Sequence, residues 1–124
     1  MILKDNSFSS KHSLKIGDKI IDFSTPKIMG VINATPDSFF DGGMNDSIEK
    51  AIEKAVSMVL EGVEFLDVGG YSSRPGADEV SVLEEINRTV PIVRAIHEKF
   101  PEISISIDTF RKDVAQKNLE AGAT

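Results

Sequence analysis

The chain has 124 residues, 40% of them apolar and 27% charged, which suits one globular unit with a core of ordinary proportions. Fourteen basic against twenty acidic residues leave a net charge of −6, an argument against nonspecific nucleic-acid binding and for a small partner. The absence of cysteine removes disulfides, Cys-based metal sites and thiol nucleophiles, and two histidines, His12 and His97, are too few for a multi-histidine site. No apolar run approaches the roughly 18 residues of a membrane span. The opening Met1-Ile2-Leu3-Lys4-Asp5 lacks the order of a signal peptide, so a cytoplasmic location is expected. An anionic partner would need its charge handled locally by a cation, a metal ion or backbone amides.

Residues 1–12 are polar, serine-rich and unpatterned, and read as a flexible arm. Alternation around Gly17-Asp18 predicts a short hairpin from Leu14-Lys15-Ile16 and Lys19-Ile20-Ile21. From Lys27 a pattern repeats three times: a short apolar run, a loop with Gly, Pro or Asp, and a segment of amphipathic helical period. The first strand is expected over Ile28–Ile32. Its helix is expected to open at Asp46, with Glu49 three residues on, and to carry Ile48, Ile52, Ala55 and Val59 inward before Gly62 ends it. The second strand is expected over Phe65–Val68. Ser81 and Glu84 form a capping pair for a helix that runs to about Lys99, with Pro91 expected to bend it. The third strand is expected over Ile103–Ile107, and the third helix over Arg111–Glu120.

Strands joined by helical crossovers pair in parallel, which returns every strand to the same end of the sheet. The loops after the three strands therefore share one edge, the C-terminal edge where α/β folds bind ligands. The unusual residues stand there. Gly30-Val31-Ile32-Asn33-Ala34-Thr35-Pro36-Asp37-Ser38-Phe39-Phe40-Asp41-Gly42-Gly43 is an order no packing rule requires, and Gly69-Gly70-Tyr71-Ser72-Ser73-Arg74-Pro75-Gly76-Ala77 follows the second strand. Asp108-Thr109 closes the third.

From the residues alone, Asn33 offers either a hard amide oxygen for Mg²⁺ or an NH₂ for an anionic oxygen, against the plainer reading of a loop-capping asparagine. Asp67 and Asp108 end apolar strands, so they face a ligand or loop amides, or serve as structural acids at the mouth of the sheet. Arg74 neutralises an anionic ligand or braces its loop. Neither histidine has a partner at catalytic spacing. The pair Glu84-Glu85 and the run Glu49 to Glu53 are expected to be exposed helix faces.

Together the three loop segments resemble dihydropteroate synthases, the folate-pathway enzymes that join a dihydropterin pyrophosphate to p-aminobenzoate. The resemblance implies a (β/α)8 TIM barrel of the pterin-binding type, of which residues 13–124 supply an N-terminal hairpin and the first three βα units. It implies that Asn33 contacts Mg²⁺ and pyrophosphate. Thr35, Pro36, Asp37, Ser38 and Phe39 match the first loop, which helps close over p-aminobenzoate, although Phe40 stands where a small polar residue is more usual. Ser73, in the place of a hydroxyl residue that is commonly threonine, and Arg74 match the second substrate loop. Asp108 becomes a pterin-pocket acid, with Asp67 lining the same pocket.

The same resemblance implies homodimers at full length, and no nucleic-acid or membrane partner. A closed barrel takes roughly 250 residues, so the chain reads as the front part of one, expected to lack turnover by itself. Two rivals remain at this stage. One is a methyltransferase acting on methyltetrahydrofolate, which would lack the Thr-Pro-Asp-Ser-Phe and Ser-Arg-Pro-Gly loops. The other is a short pterin-binding paralogue without catalysis.

Overall fold

A computed structural model describes residues 12–34, 44–71 and 79–124, with side chains described from residue 47 onward in the first helix. The element order is β1 (Ser13–Ile16), β2 (Lys19–Asp22), β3 (Met29–Asn33), α1 (Met44–Leu60), β4 (Phe65–Gly69), α2 (Val82–Lys99), β5 (Ser104–Asp108) and α3 (Lys112–Ala121). The first two strands form the expected antiparallel hairpin, turning at Gly17 with φ +60°, which suits a residue without a Cβ. Just after the hairpin the Asp22 carboxylate accepts from the Ser24 backbone N–H at 2.8 Å, and that bond holds its pKa below the usual value. The other three strands form one parallel sheet in the order β3-β4-β5.

Each expected element is present, and several bounds move. β3 runs Met29–Asn33 rather than Ile28–Ile32, β4 extends to Gly69, and β5 runs Ser104–Asp108 rather than Ile103–Ile107. The shift follows the ladder: Asn33 pairs with Gly69 and Gly69 with Asp108, so the polar residues that seemed to end the apolar runs still belong to strands. α1 begins at Met44, which places Asp46 inside its first turn instead of at the cap. An acid suits both places, because the free amides and the positive end of the macrodipole span the whole first turn. α3 starts one residue later than expected, after Arg111.

At the start of α2, Ser81 Oγ accepts from the Glu84 N–H at 3.1 Å as expected. The Glu84 carboxylate goes forward to Arg88 instead of back to the cap. The helix is continuous through Pro91.

All three helices pack on one face of the sheet. Ile32, Leu66, Val68 and Ile105 point into that layer and meet Ala51 and Ala55 of α1 and Ile92, Val93 and Ile96 of α2, all buried. The alternate residues point the other way, where Met29 and Val31 stay 52% and 50% exposed while Ile32, next along the strand, is at 1%. Parallel sheets usually bury both faces; here the second is partly open. The hairpin covers only its lower part, with Phe23 stacked on Phe65 at 6.1 Å between centroids. A hollow of about 360 Å³ bounded by Leu14, Ile16, Met29, Phe65 and Ser106 lies between hairpin and sheet. Beyond β5, the Thr124 N–H donates to the Ile105 carbonyl at 2.8 Å, which ties the residues after α3 back to the edge of β5.

Two helix-ending glycines offer a check. Gly62 and Gly122 both have positive φ, +109° and +127°, but a Cβ on Gly62 would meet open space whereas one on Gly122 would stand 2.4 Å from His97 Cγ. Gly62→Ala is expected to cost about 1 kcal/mol from backbone strain alone, and Gly122→Ala about 2–4 kcal/mol once overpacking is added. Urea denaturation of the two variants, compared at equal m-value, measures the difference.

Candidate functional site

Parallel register assembles the site. At the C-terminal edge Asn33, Gly69 and Asp108 stand side by side in one row, and one pleat below them Val31, Asp67 and Ser106 form the next. Because side chains alternate along a strand, both rows face away from the helices, onto the open side of the sheet. The upper row carries an amide, no side chain and a carboxylate. With strands about 4.8 Å apart, Asn33 and Asp108 are separated by about 10 Å across the bare Gly69 backbone. That makes a slot whose floor is Gly69 and whose walls are polar.

Asn33 and Asp108 are both exposed, and no hydrogen bond among the described residues engages either side chain. Asp67 is half-buried beneath the floor and accepts from Ser106 Oγ at 2.6 Å. That bond uses one carboxylate oxygen, Oδ1, and leaves the other outside any bond among the described residues. Two carboxylates at different depths on one face suit a flat ligand that presents several N–H groups along an edge, since ionised carboxyl groups only accept. Of the residues singled out in the sequence, the structure thus brings Asn33, Asp67 and Asp108 together. Thr35, Pro36, Asp37, Ser38, Phe39, Ser73 and Arg74 lie outside the described residues.

Asn33 also fits Mg²⁺. The ion keeps most of its water and takes one or two protein oxygens together with ligand phosphates, a mode that an exposed, unengaged amide at a sheet edge satisfies. Among the described residues no group of three or more His, Cys, Asp and Glu gathers to form a closed metal cage.

Behind the slot stands a layer that sequence reasoning missed. Glu85, expected on an exposed face, is fully buried, and its Oε1 pairs with Arg111 Nη1 at 3.2 Å. Arg88, 6% exposed, donates to the Gly70 carbonyl at 3.1 Å and pairs with Glu84. Arg111 lies over the rings of Tyr71 and Phe110, 5.2 and 5.1 Å from their centroids. Glu85, Arg88, Thr89, Ile92, Val93 and Ile96 follow helical spacing, so a wider apolar stripe was the available signal; the charges at 85 and 88 concealed it. Ser106 was also missed, though its place two residues before Asp108 puts it on the same face. His12 and His97 are exposed, as expected.

A family profile described as "Pterin binding enzyme" matches residues 29–124. The chain belongs to the pterin binding enzyme family. Among its relatives, the dihydropteroate synthase of Streptococcus pyogenes serotype M1 is 46% identical over 110 residues, 89% of this chain and 41% of that protein. The dihydropteroate synthase of Escherichia coli strain K12 is 47% identical over 103 residues, 83% of this chain and 36% of its own length. Among solved structures, the Xanthomonas albilineans dihydropteroate synthase with 4-aminobenzoic acid superposes with a TM-score of 0.82 at 36% identity, over 91% of this chain and 42% of that one. The chain therefore spans about two fifths of the length of the relatives it matches. The hairpin and three βα units described above are the opening part of the pterin-binding TIM barrel, as the sequence motifs implied. No helix among the described residues is long and apolar enough to cross a membrane.

The glycine that follows the floor of the slot sets a test. A Cβ on Gly70 would stand 2.8 Å from Thr89 Cγ2 and 3.4 Å from Arg88 Cβ and Glu85 Cγ. Gly70→Ala is expected to cost about 1–3 kcal/mol by overpacking. Thr89→Ser removes the obstructing methyl and keeps the hydroxyl that donates to the Glu85 carbonyl at 2.9 Å. The double variant should therefore be more stable than the sum of the two single costs implies, which a double-mutant cycle in urea reads directly.

Proposed function

We propose that the chain is the opening part of a dihydropteroate synthase, condensing (7,8-dihydropterin-6-yl)methyl diphosphate with 4-aminobenzoate. The observation that carries this reading is the row Asn33-Gly69-Asp108 over Asp67, an anion-side amide and two carboxylates around a bare floor. Support comes from relatives at 46–47% identity named as such synthases.

The reaction breaks the bond between the pterin methylene and the diphosphate oxygen, whose electron pair leaves with the diphosphate. The arylamine nitrogen lone pair forms the new C–N bond, and the amine proton passes to solvent. No protein nucleophile is required. Asp108 accepts from the N–H edge of the pterin at the rim, and Asp67, oriented by Ser106, lies deeper in the same pocket. The flat Gly69 backbone lets the ring system lie close to the sheet. Carboxylates beside the ring also stabilise the positive charge that grows on it as the leaving group departs.

Asn33 would hold Mg²⁺ through its amide oxygen at the end where the diphosphate leaves. When bound, the ion neutralises the charge that accumulates on that group. In this reading residues 13–124 form the barrel portion and residues 1–12 an arm. Thr35 to Phe39 help enclose the arylamine, and Ser73 and Arg74 contact the anionic groups. The complete protein is proposed to be a cytoplasmic homodimer.

In the complete enzyme, Asp108→Asn keeps the shape and removes the charge. Loss of a charge-assisted hydrogen bond of about 1.5–3 kcal/mol corresponds to a fall of roughly 10- to 150-fold in kcat/KM for the pterin substrate. Steady-state kinetics with fixed 4-aminobenzoate measure it, and a change under threefold would remove Asp108 from the pocket. The 124-residue chain by itself, given both substrates and Mg²⁺, is expected to form no dihydropteroate, because the open half of the sheet leaves the ligand unenclosed. Product detected by chromatography would overturn that expectation.

A further inference from the structure

The buried charges behind the slot have no part in the proposed chemistry, yet they touch both strand ends that form it. Glu85 is fully buried with one oxygen paired to Arg111, and its Oε2 has no hydrogen-bond partner among the described residues. The Nε of Arg88 is likewise buried and unpartnered among them. Glu84, Glu85, Arg88 and Arg111 carry equal charge of both signs. Burying charges such as those of Glu85 and Arg88 is a poor route to stability, since the lost hydration offsets much of the attraction and apolar residues of the same volume often do as well. What an ion cluster supplies better than an apolar contact is direction.

The directions converge on the slot. Arg88 holds the carbonyl of Gly70, the residue after the Gly69 floor. Arg111, three residues beyond Asp108, is held by Glu85 and lies against Tyr71, while Tyr71 meets Phe110 edge-on at 5.4 Å. Asn118 of α3 donates to Thr89, whose own hydroxyl donates to the Glu85 carbonyl, so α2 and α3 are registered by hydrogen bonds at the same level. The backbone leaving β4 and the backbone leaving β5 are thereby fixed to one helix turn of α2. Gly69 and Asp108 are register partners, and a Cβ on Gly69 would come within 3.4 Å of Asp108 Cβ.

We propose that Glu85, Arg88 and Arg111 are positioning residues, an ionic brace that holds the Gly69–Tyr71 and Asp108–Arg111 segments at a fixed separation and so sets the geometry in which Asp108 meets a pterin. The ligand part of this statement rests on the proposed function. The brace itself does not.

Amide hydrogen exchange and pterin titration on the complete enzyme separate the two. Glu85→Gln and Arg88→Met are expected to speed exchange at least tenfold within residues 69–71 and 108–111, while core amides such as Leu66 and Ile96 keep their rates. Arg88→Lys, which can still donate to the Gly70 carbonyl, should restore most of the protection and serves as the readout if the harsher variants do not fold. Exchange accelerated evenly across the core, or unchanged in those two segments, would overturn the brace.

In the same variants the dissociation constant for a 7,8-dihydropterin is expected to rise at least tenfold for Glu85→Gln and less than threefold for Arg88→Lys. An unchanged affinity beside accelerated local exchange would overturn the positioning role. Should the unsubstituted complete enzyme bind no pterin, the proposed function is what loses support, and the exchange pattern still decides the brace.

Discussion

Everything in this molecule depends on the parallel register of three short strands. Helical crossovers oblige β3, β4 and β5 to run the same way, and the pairing of Asn33 with Gly69 and of Gly69 with Asp108 brings their C-terminal ends level. Residues 36 and 39 positions apart in sequence become neighbours through backbone hydrogen bonds alone, before any side chain contributes. A slip of one residue in either pair would turn Asp67 or Asp108 towards the helices and an apolar residue towards the ligand face. The core opposes such a slip, because Ile32, Leu66, Val68 and Ile105 would have to leave the interior.

The sheet therefore has two unlike faces. The helix side is closed and apolar, and it supplies the stability. The other side carries the polar rows of Asn33, Asp67 and Asp108 and keeps Met29 and Val31 half exposed. In a barrel that face is the interior, so the same residues change from surface to core when the remaining strands are present. The hairpin caps only the lower end, through Phe23 on Phe65, and leaves the upper rows free. Packing and ligand access are thus assigned to opposite ends of the same strands.

Much of this was legible in the sequence. Period-2 and period-3.6 patterns located every element among the described residues, and Gly62 and the Ser81 cap marked their helix ends correctly. The parallel crossovers then placed Asn33, Asp67 and Asp108 on one edge. The strand ends were misjudged by a residue because Asn33, Gly69 and Asp108 pair in the ladder although their side chains are polar or absent, and an apolar run is blind to backbone pairing. Asp46 was misread because an acid is equally at home at a cap and in a first turn. The deeper failure was Glu85. A charged residue in a helix is presumed to face water, and only the arrival of Arg111 from another element, 26 positions on, makes its burial tolerable. Such pairing is invisible to local pattern.

The two adjacent glycines, one the floor of the slot and the other just after it, answer to different demands. At Gly70 a side chain would press into Thr89 of α2, so the fold itself penalises it. At Gly69 a methyl would find only ordinary contact with Asp108, and the backbone there needs no positive φ. Under the proposed function, folding passes an alanine at 69 that a pterin ring lying on that floor refuses. On that reading, position 69 is a place where stability and occupancy are judged separately, and a change there alters binding without first being screened by the cell's disposal of misfolded chains.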